Sequence, residues 1–218
     1  DDQEQQRLHA AARTALHGHL QRSGAPAQIV DGLLPGSFMV EYRHAQMPRV
    51  SIIIPTRDRL DLLQPCLNSV IEKTGYPNYE ILVVDNQSRE QRTLEYLAQL
   101  PARDQRIRVL NYPQAFNFAA INNLAARAAS GDYLLLLNND TLVLQSNWLE
   151  RLLAQAQRPD VGAVGVRLVT PEQRIQHAGI VLGMGAPGVA DHVHVGLPMN
   201  EPGYTGRAQV AQDMSAVS

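Results

Sequence analysis

Three short apolar runs limit what this chain can fold into. Val50-Ser51-Ile52-Ile53-Ile54, Tyr79-Glu80-Ile81-Leu82-Val83-Val84 and Tyr133-Leu134-Leu135-Leu136-Leu137 are too brief for core helices, and each stops on a polar cluster. The clusters are Pro55-Thr56-Arg57-Asp58, Asp85-Asn86-Gln87-Ser88 and Asn138-Asn139-Asp140. Runs of this kind read as strands buried on both faces. Between them Leu60, Leu63, Leu67, Val70 and Ile71 recur at helical spacing. A second helix passes through Leu94, Leu97 and Leu100, with Ser88 and Gln91 placed as a capping box, and an alanine-rich helix covers 116–129. Ile107 to Leu110 supplies a further strand, Trp148 to Ala156 a last amphipathic helix, and strands are expected near 161–166 and 175–182. Strand and helix in alternation mean an α/β fold with a mostly parallel sheet covered on both faces. Ligands in such sheets bind at the carboxyl ends of the strands, so the three polar clusters should converge. Asp140 must then reach solvent or hold something positive, because an unpaired buried carboxylate is costly.

Composition narrows the partners. The chain has 218 residues, 44% hydrophobic and 18% charged, with a net charge of -2 and no long run of one sign, so neither a nucleic-acid backbone nor an anionic membrane surface is indicated. Cys66 is the only cysteine, which excludes an internal disulfide and a cysteine-rich zinc site and fits a reducing, cytoplasmic setting. No apolar run approaches the length of a transmembrane helix. Residues 1–22 read as a polar helix, 23–48 as a linker with a short strand at Phe38 to Tyr42, and 49–218 as the main domain.

A cleft offering Asp85 and Asp140, with Asn138 and Asn139 beside the latter, suits a hard divalent cation and a hydroxyl-rich ligand. Mg2+ or Mn2+ takes oxygen ligands and commonly joins one or two carboxylates to substrate phosphates, so a nucleotide diphosphate with its metal is a reasonable chemical reading.

VSIIIPTRDR, EILVVDNQS and GDYLLLLNNDT resemble, in this order and at the usual spacings, family 2 inverting glycosyltransferases of the GT-A fold. Upstream LLPGSFMVEYRHAQMPRV and downstream IQHAGIVLG and GVADHVHVGLP resemble a bacterial subset of O-antigen and rhamnan type. The resemblance implies a nucleoside-diphosphate sugar donor, UDP- or dTDP-linked, a Mg2+ or Mn2+ ion, and a carbohydrate or lipid-linked saccharide acceptor. It implies that Pro55, Thr56 and Arg57 line the base and ribose pocket and that Asp85 contacts the base. Asn138-Asn139-Asp140 stands where the family has D-x-D, with Asp140 the main metal ligand. The departure is Asn138, which can offer an oxygen to ribose or to a metal-bound water but brings less charge to the cation. The family's general base comes from an acidic motif well beyond this segment, and nothing around Asp213 matches it, so the donor half is expected here without the acceptor half. A non-catalytic donor-binding or interaction module of a larger protein is the alternative, as is, less favourably, a pyrophosphorylase-like enzyme, although PTRDRLD lacks the glycine that a phosphate loop would want.

Other signals weigh less. Lys73, the single lysine, precedes the strand where a phosphoacceptor receiver domain needs one. Gly183 to Gly188 formally matches G-x-G-x-x-G but contains Pro187 and opens no helix, so a turn is expected. His192 and His194 would share a strand face without a third zinc ligand nearby, and His177 is expected to pack or hydrogen-bond near the cleft. Asp58 and Asp61 read as helix caps, Cys66 as core, and Asn122 and Asn123 as either cleft-facing or ordinary helix-surface amides.

Overall fold

The computed structural model describes residues 2–184 and 188–217. The chain divides into two compact units, residues 46–150 and residues 1–45 together with 151–218.

The unit of residues 46–150 is built on one sheet. Its strands are β3 (Val50–Thr56), β4 (Tyr79–Asp85), β5 (Ile107–Asn111) and β6 (Tyr133–Leu136), in the order β5-β4-β3-β6 and all parallel. Helices α2 (Leu60–Lys73), α3 (Gln91–Arg103) and α4 (Phe118–Ala128) connect them. Ile53, Leu82 and Val84 pack with Ile121 and Ala125 of α4 in one cluster. The alternate residues Ile52, Ile54, Ile81 and Val83 are equally buried and face the other way, so both faces of the sheet are covered, as the parallel arrangement requires.

β6 differs from the buried strand that its leucines predict. It lies at the sheet edge, and Leu134 and Leu136 are 50% and 54% exposed. The capping box is also absent: the N-cap of α3 is Glu90 without a side-chain bond, Ser88 pairs elsewhere, and Gln91 Nε2 donates to Glu95 at 2.8 Å. Over 161–166 no strand forms; Gly162 and Gly165 interrupt the apolar pattern, and the strand β7 is displaced to Leu168–Val169.

At the amino end of the sheet a buried carboxylate ties three segments together. Glu80 of β4 faces its register partner Ser51 of β3, whose hydroxyl donates to Oε1 at 2.7 Å, and the same oxygen accepts from the Ser130 N–H at 2.7 Å and hydroxyl at 2.8 Å. Gly131 donates its N–H to Ser51 Oγ at 2.9 Å, and a side chain there would meet the Ser51 nitrogen at 2.6 Å, which explains the glycine before β6. Burial pushes the Glu80 pKa up, but the hydrogen bonds from Ser51 and Ser130 and the Arg49 charge outweigh it and hold it at about 2.

The other unit opens with α1 (Asp2–Ser23). Residues 23–48 contain the expected strand β2 (Phe38–Tyr42) and an antiparallel partner, β1 (Ala27–Asp31). Arg13 and His9 of α1 both reach Asp31 Oδ1, and the His9 ring stacks on Phe38 at 4.4 Å, so the helix is fastened to the hairpin. α5 (Trp148–Ala156) crosses the boundary between the units, and β7, β8 (Ile175–His177), β9 (Ile180–Leu182) and β10 (Ala190–His192) form two short antiparallel pairs. Of the Gly183 to Gly188 stretch, residues 185–187 lie outside the described residues; Gly183 and Gly188 have positive φ of 82° and 80°.

A carboxyl held at about 2 against an ordinary 4.5 contributes about 3 kcal/mol at neutral pH. Because the folded value is depressed, that contribution is fully present above pH 4.5 and is lost as pH falls toward about 2. Glu80→Gln is expected to lose about that much stability at pH 7 and to flatten this part of the pH dependence; urea unfolding of both proteins at pH 7 and pH 3 measures it, and equal pH slopes would disprove it. Cys66 is fully buried in α2 and its thiol donates to the Asn138 carbonyl at 3.6 Å; burial, and then the Asp140 charge, raise its pKa to about 11. The folded protein should therefore leave a disulfide reagent unconsumed at pH 8, with the thiol appearing only in denaturant, and a full equivalent titrated in the native state would contradict the packing.

Candidate functional site

The chain leaves β3 to build β4 and β5 on one side and then returns to place β6 on the other. The switch point of the sheet therefore lies between the carboxyl ends of β3 and β6, where open α/β sheets bind ligands. Thr56 ends β3 and Asp85 ends β4; they are register partners on adjacent strands, 5% and 7% exposed. Past β6, Leu137 still pairs with Ile53, and the Asn139 amide donates to Thr56 Oγ1 at 3.0 Å across the switch point. Thr56, Asp85 and Asn139 are thus brought together. Pro55 lies half-buried beside Val84. Arg57, Asn138 and Asp140 occupy the same strand ends with exposed side chains.

Each wall of this region is held in a different way. The Asn138 to Asp140 turn is supported from α2, by the Cys66 thiol under the Asn138 carbonyl and by Ser69 Oγ, which accepts the Val143 N–H at 3.0 Å. The loops after β3 and β4 are instead bonded to each other. Asp58 N–H donates to Ser88 Oγ at 2.7 Å, and Asp58 Oδ1 accepts the N–H groups of Arg89 at 2.6 Å and Glu90 at 2.8 Å. Ser88 N–H in turn donates to Asp85 Oδ1 at 3.0 Å. The hydrogen bonds from Glu90 and Arg89 hold the Asp58 carboxyl below the usual carboxylate range. Asn86 donates to the carbonyls of Tyr112 at 3.2 Å and Gln114 at 2.9 Å, extending the network to the loop after β5.

Asp58 does serve as a cap-like acceptor, but at the entrance of α3, thirty-one residues away from its own position, and not for α2. The N-cap of α2 is Arg59, in the left-handed region, and Asp61 pairs with that arginine at 2.9 Å. The roles of Asp58, Ser88 and Ser69 were not readable from the sequence, since each depends on a partner far along the chain. Asn122 is buried in α4 and Asn123 is exposed.

The histidines belong to the other unit. His177 is buried, accepts the Gly179 N–H on Nε2 at 3.2 Å and meets His192 through the two Nδ1 atoms at 2.7 Å; burial, and then His192, keep its pKa below the ordinary value. His194 lies beyond β10 with a φ of 61° and so does not share its face with His192. No group of three His, Cys, Asp or Glu residues placed to hold a metal occurs among the described residues. That unit also contains a half-open cavity of about 270 Å³ lined by Leu33, Arg167, His177, Gly179, Met214 and Val217 among others. Its polar wall is internally engaged, since the Arg167 guanidinium donates to the Met199 and Ala208 carbonyls and to Gln209.

O-antigen biosynthesis protein RfbC of Myxococcus xanthus is 45% identical over 184 residues, covering 84% of this chain and 14% of that protein. The uncharacterized protein y4gI of Sinorhizobium fredii is 43% identical over 209 residues, covering 95% of this chain and 23% of its own length. The chain therefore spans a quarter or less of the length of these two relatives. Among solved structures, the mannosyltransferase PcManGT from Pyrobaculum calidifontis, in complex with GDP-Man and Mn2+, superposes with a TM-score of 0.52 at 21% identity over 77% of this chain and 46% of that one, a likeness of fold. The architecture is thus GT-A, and a family profile described as "Glycosyl transferase family 2" matches residues 51–179, more than half of the chain. On these grounds the chain belongs to glycosyl transferase family 2.

Proposed function

We propose that this chain binds a nucleoside-diphosphate sugar, UDP- or dTDP-linked, together with Mg2+ or Mn2+, as the donor half of an inverting glycosyltransferase that builds bacterial surface polysaccharide. The observation that carries the reading is the meeting of Thr56, Asp85 and Asn139 at the switch point of the sheet. In this reading Pro55, Thr56 and Arg57 line the base and ribose pocket, and Asp85 accepts a hydrogen bond from the base. Asn138 and Asn139 offer amide groups to ribose or to a metal-bound water, and Asp140 is the metal ligand.

The donor set fits such a cation. One exposed carboxylate flanked by two amides suits an ion that takes its remaining ligands from diphosphate oxygens and water. When bound, the cation would neutralise the diphosphate leaving group during direct displacement at the anomeric carbon. The chain's own residues hold the base, set the sugar's direction and leave the polar strand ends open to an acceptor, a carbohydrate or lipid-linked saccharide. Residues 49–218 form the donor domain in this proposal and 1–48 an arm, with further domains in keeping with the length of the relatives. No helix among the described residues is long and apolar enough to cross a membrane, and we place the protein in the cytoplasm, peripheral to the inner membrane face.

Asn138, standing where a carboxylate is usual, favours a second reading, a donor-binding module without turnover. Acceptor-dependent release of nucleoside diphosphate supports the enzyme; donor binding with no release supports the module.

Calorimetric titration with UDP and dTDP, with and without Mn2+, tests the binding itself. One nucleotide should bind, more tightly with the metal. Asp85→Ala and Asp140→Ala should each weaken binding about tenfold or more, the scale of a lost charge-assisted contact. Wild type that takes up neither nucleotide, or variants that bind undiminished, would defeat the assignment.

A further inference from the structure

We propose that Asp58 is a positioning residue for the nucleotide: it locks the loop after β3 to the loop after β4 and so fixes the carboxylate of Asp85. The inference rests on the donor-binding reading above and adds a residue to it.

Four hydrogen bonds make the lock. Asp58 receives two backbone N–H groups on Oδ1, from Arg89 and Glu90, and gives its own N–H to Ser88 Oγ. Ser88 passes the constraint on, because its N–H is the donor that holds Asp85 Oδ1 at 3.0 Å. The Asp58 carboxylate thus acts on Asp85 by fixing the N–H groups of Arg89 and Glu90, next in the chain to Ser88, while the bond to Ser88 Oγ comes from the Asp58 backbone N–H. Asp58 is also two positions from Thr56, so the loop it anchors begins at the other edge of the pocket.

The backbone shows why a lock is needed. Asp58, Arg59 and Gln87 have φ of 51°, 52° and 62°, a left-handed conformation that costs a residue with a side chain about 1 kcal/mol. Neither loop adopts this shape cheaply alone. Each is over-determined by bonds to the other, with Asp58 on one side and Ser88, Arg89 and Glu90 on the other.

Stability and position separate at this residue. The Asp58 bonds to Arg89 and Glu90 lie at the surface, so water can replace the carboxylate when it is removed. Removal should then relax the loops more than it unfolds the protein.

A double-mutant cycle between Asp58→Ala and Asp85→Ala tests this, with dissociation constants for UDP and dTDP in Mg2+ read by chemical-shift titration, which reaches weak binding. Asp58→Ala is expected to weaken nucleotide binding about tenfold in the wild-type background and less than about twofold when Asp85 is already alanine, since it acts through that carboxylate. Asp58→Asn, which keeps the Oδ1 acceptor, should stay within about threefold of wild type. If Asp58→Ala does not fold, Ser88→Ala takes its place in the cycle with the same pattern expected. Equal losses in both backgrounds, or no loss with wild type still binding, would overturn the lock and leave the donor reading standing. Wild type that binds neither nucleotide would overturn both.

Discussion

The site depends on the register of β3 between β4 and β6. Both β3 and β4 are apolar on both faces, so hydrophobic patterning alone would tolerate a slip by one residue. At the amino end of that ladder a buried polar pair, Ser51 opposite Glu80, is closed by Ser130 from the segment leading into β6. A slip would leave a desolvated carboxylate without its donors, a penalty far larger than any difference in apolar packing. The polar pin sits at the amino end of the strands, yet it decides what meets at the carboxyl end. With Ser51 against Glu80, Thr56 falls opposite Asp85, and β6 delivers Asn139 to the other side of Thr56. Fold and site are thus joined by a strand only seven residues long.

Much of this was legible in the sequence because it is local. Apolar runs bounded by polar clusters marked β3, β4 and β6, helical spacing marked α2 to α4, and the rule that ligands gather at strand ends placed Thr56, Asp85 and Asn139 together. What escaped was non-local. Four leucines in a row read as a buried strand, but whether a strand is central or an edge is settled by its neighbours, and β6 has β3 on one side only among the described strands. Ser88 three residues before Gln91 read as a capping box, but Asp58 arrives from another loop and takes that hydroxyl as an acceptor. β1 was missed because Ala27 to Asp31 is short and mixed in character; it becomes a strand by pairing with β2, and Arg13 and His9 of α1 cover it.

The two walls of the candidate site have different physical characters. On the side of Asp85 the loops are cross-linked, buried at their roots and held in backbone conformations that relax if the bonds between them are cut. A ligand group meeting that wall finds its partners already ordered, so little of the interaction energy is spent on immobilising the protein. On the side of Asn138 and Asp140 the side chains are exposed, and only the backbone beneath them is fixed, by Cys66 and Ser69 of α2. A wall of that kind suits a partner that brings its own ligands and its own hydration, as a diphosphate with a divalent cation does. On the donor-binding reading, selectivity therefore resides with the base, against the rigid wall, while the charged centre of the donor completes the open one. On that same reading the neutral Asn138 fits this division: with one carboxylate fewer, the chain alone would hold a cation weakly, and the nucleotide would supply the charge that retains it.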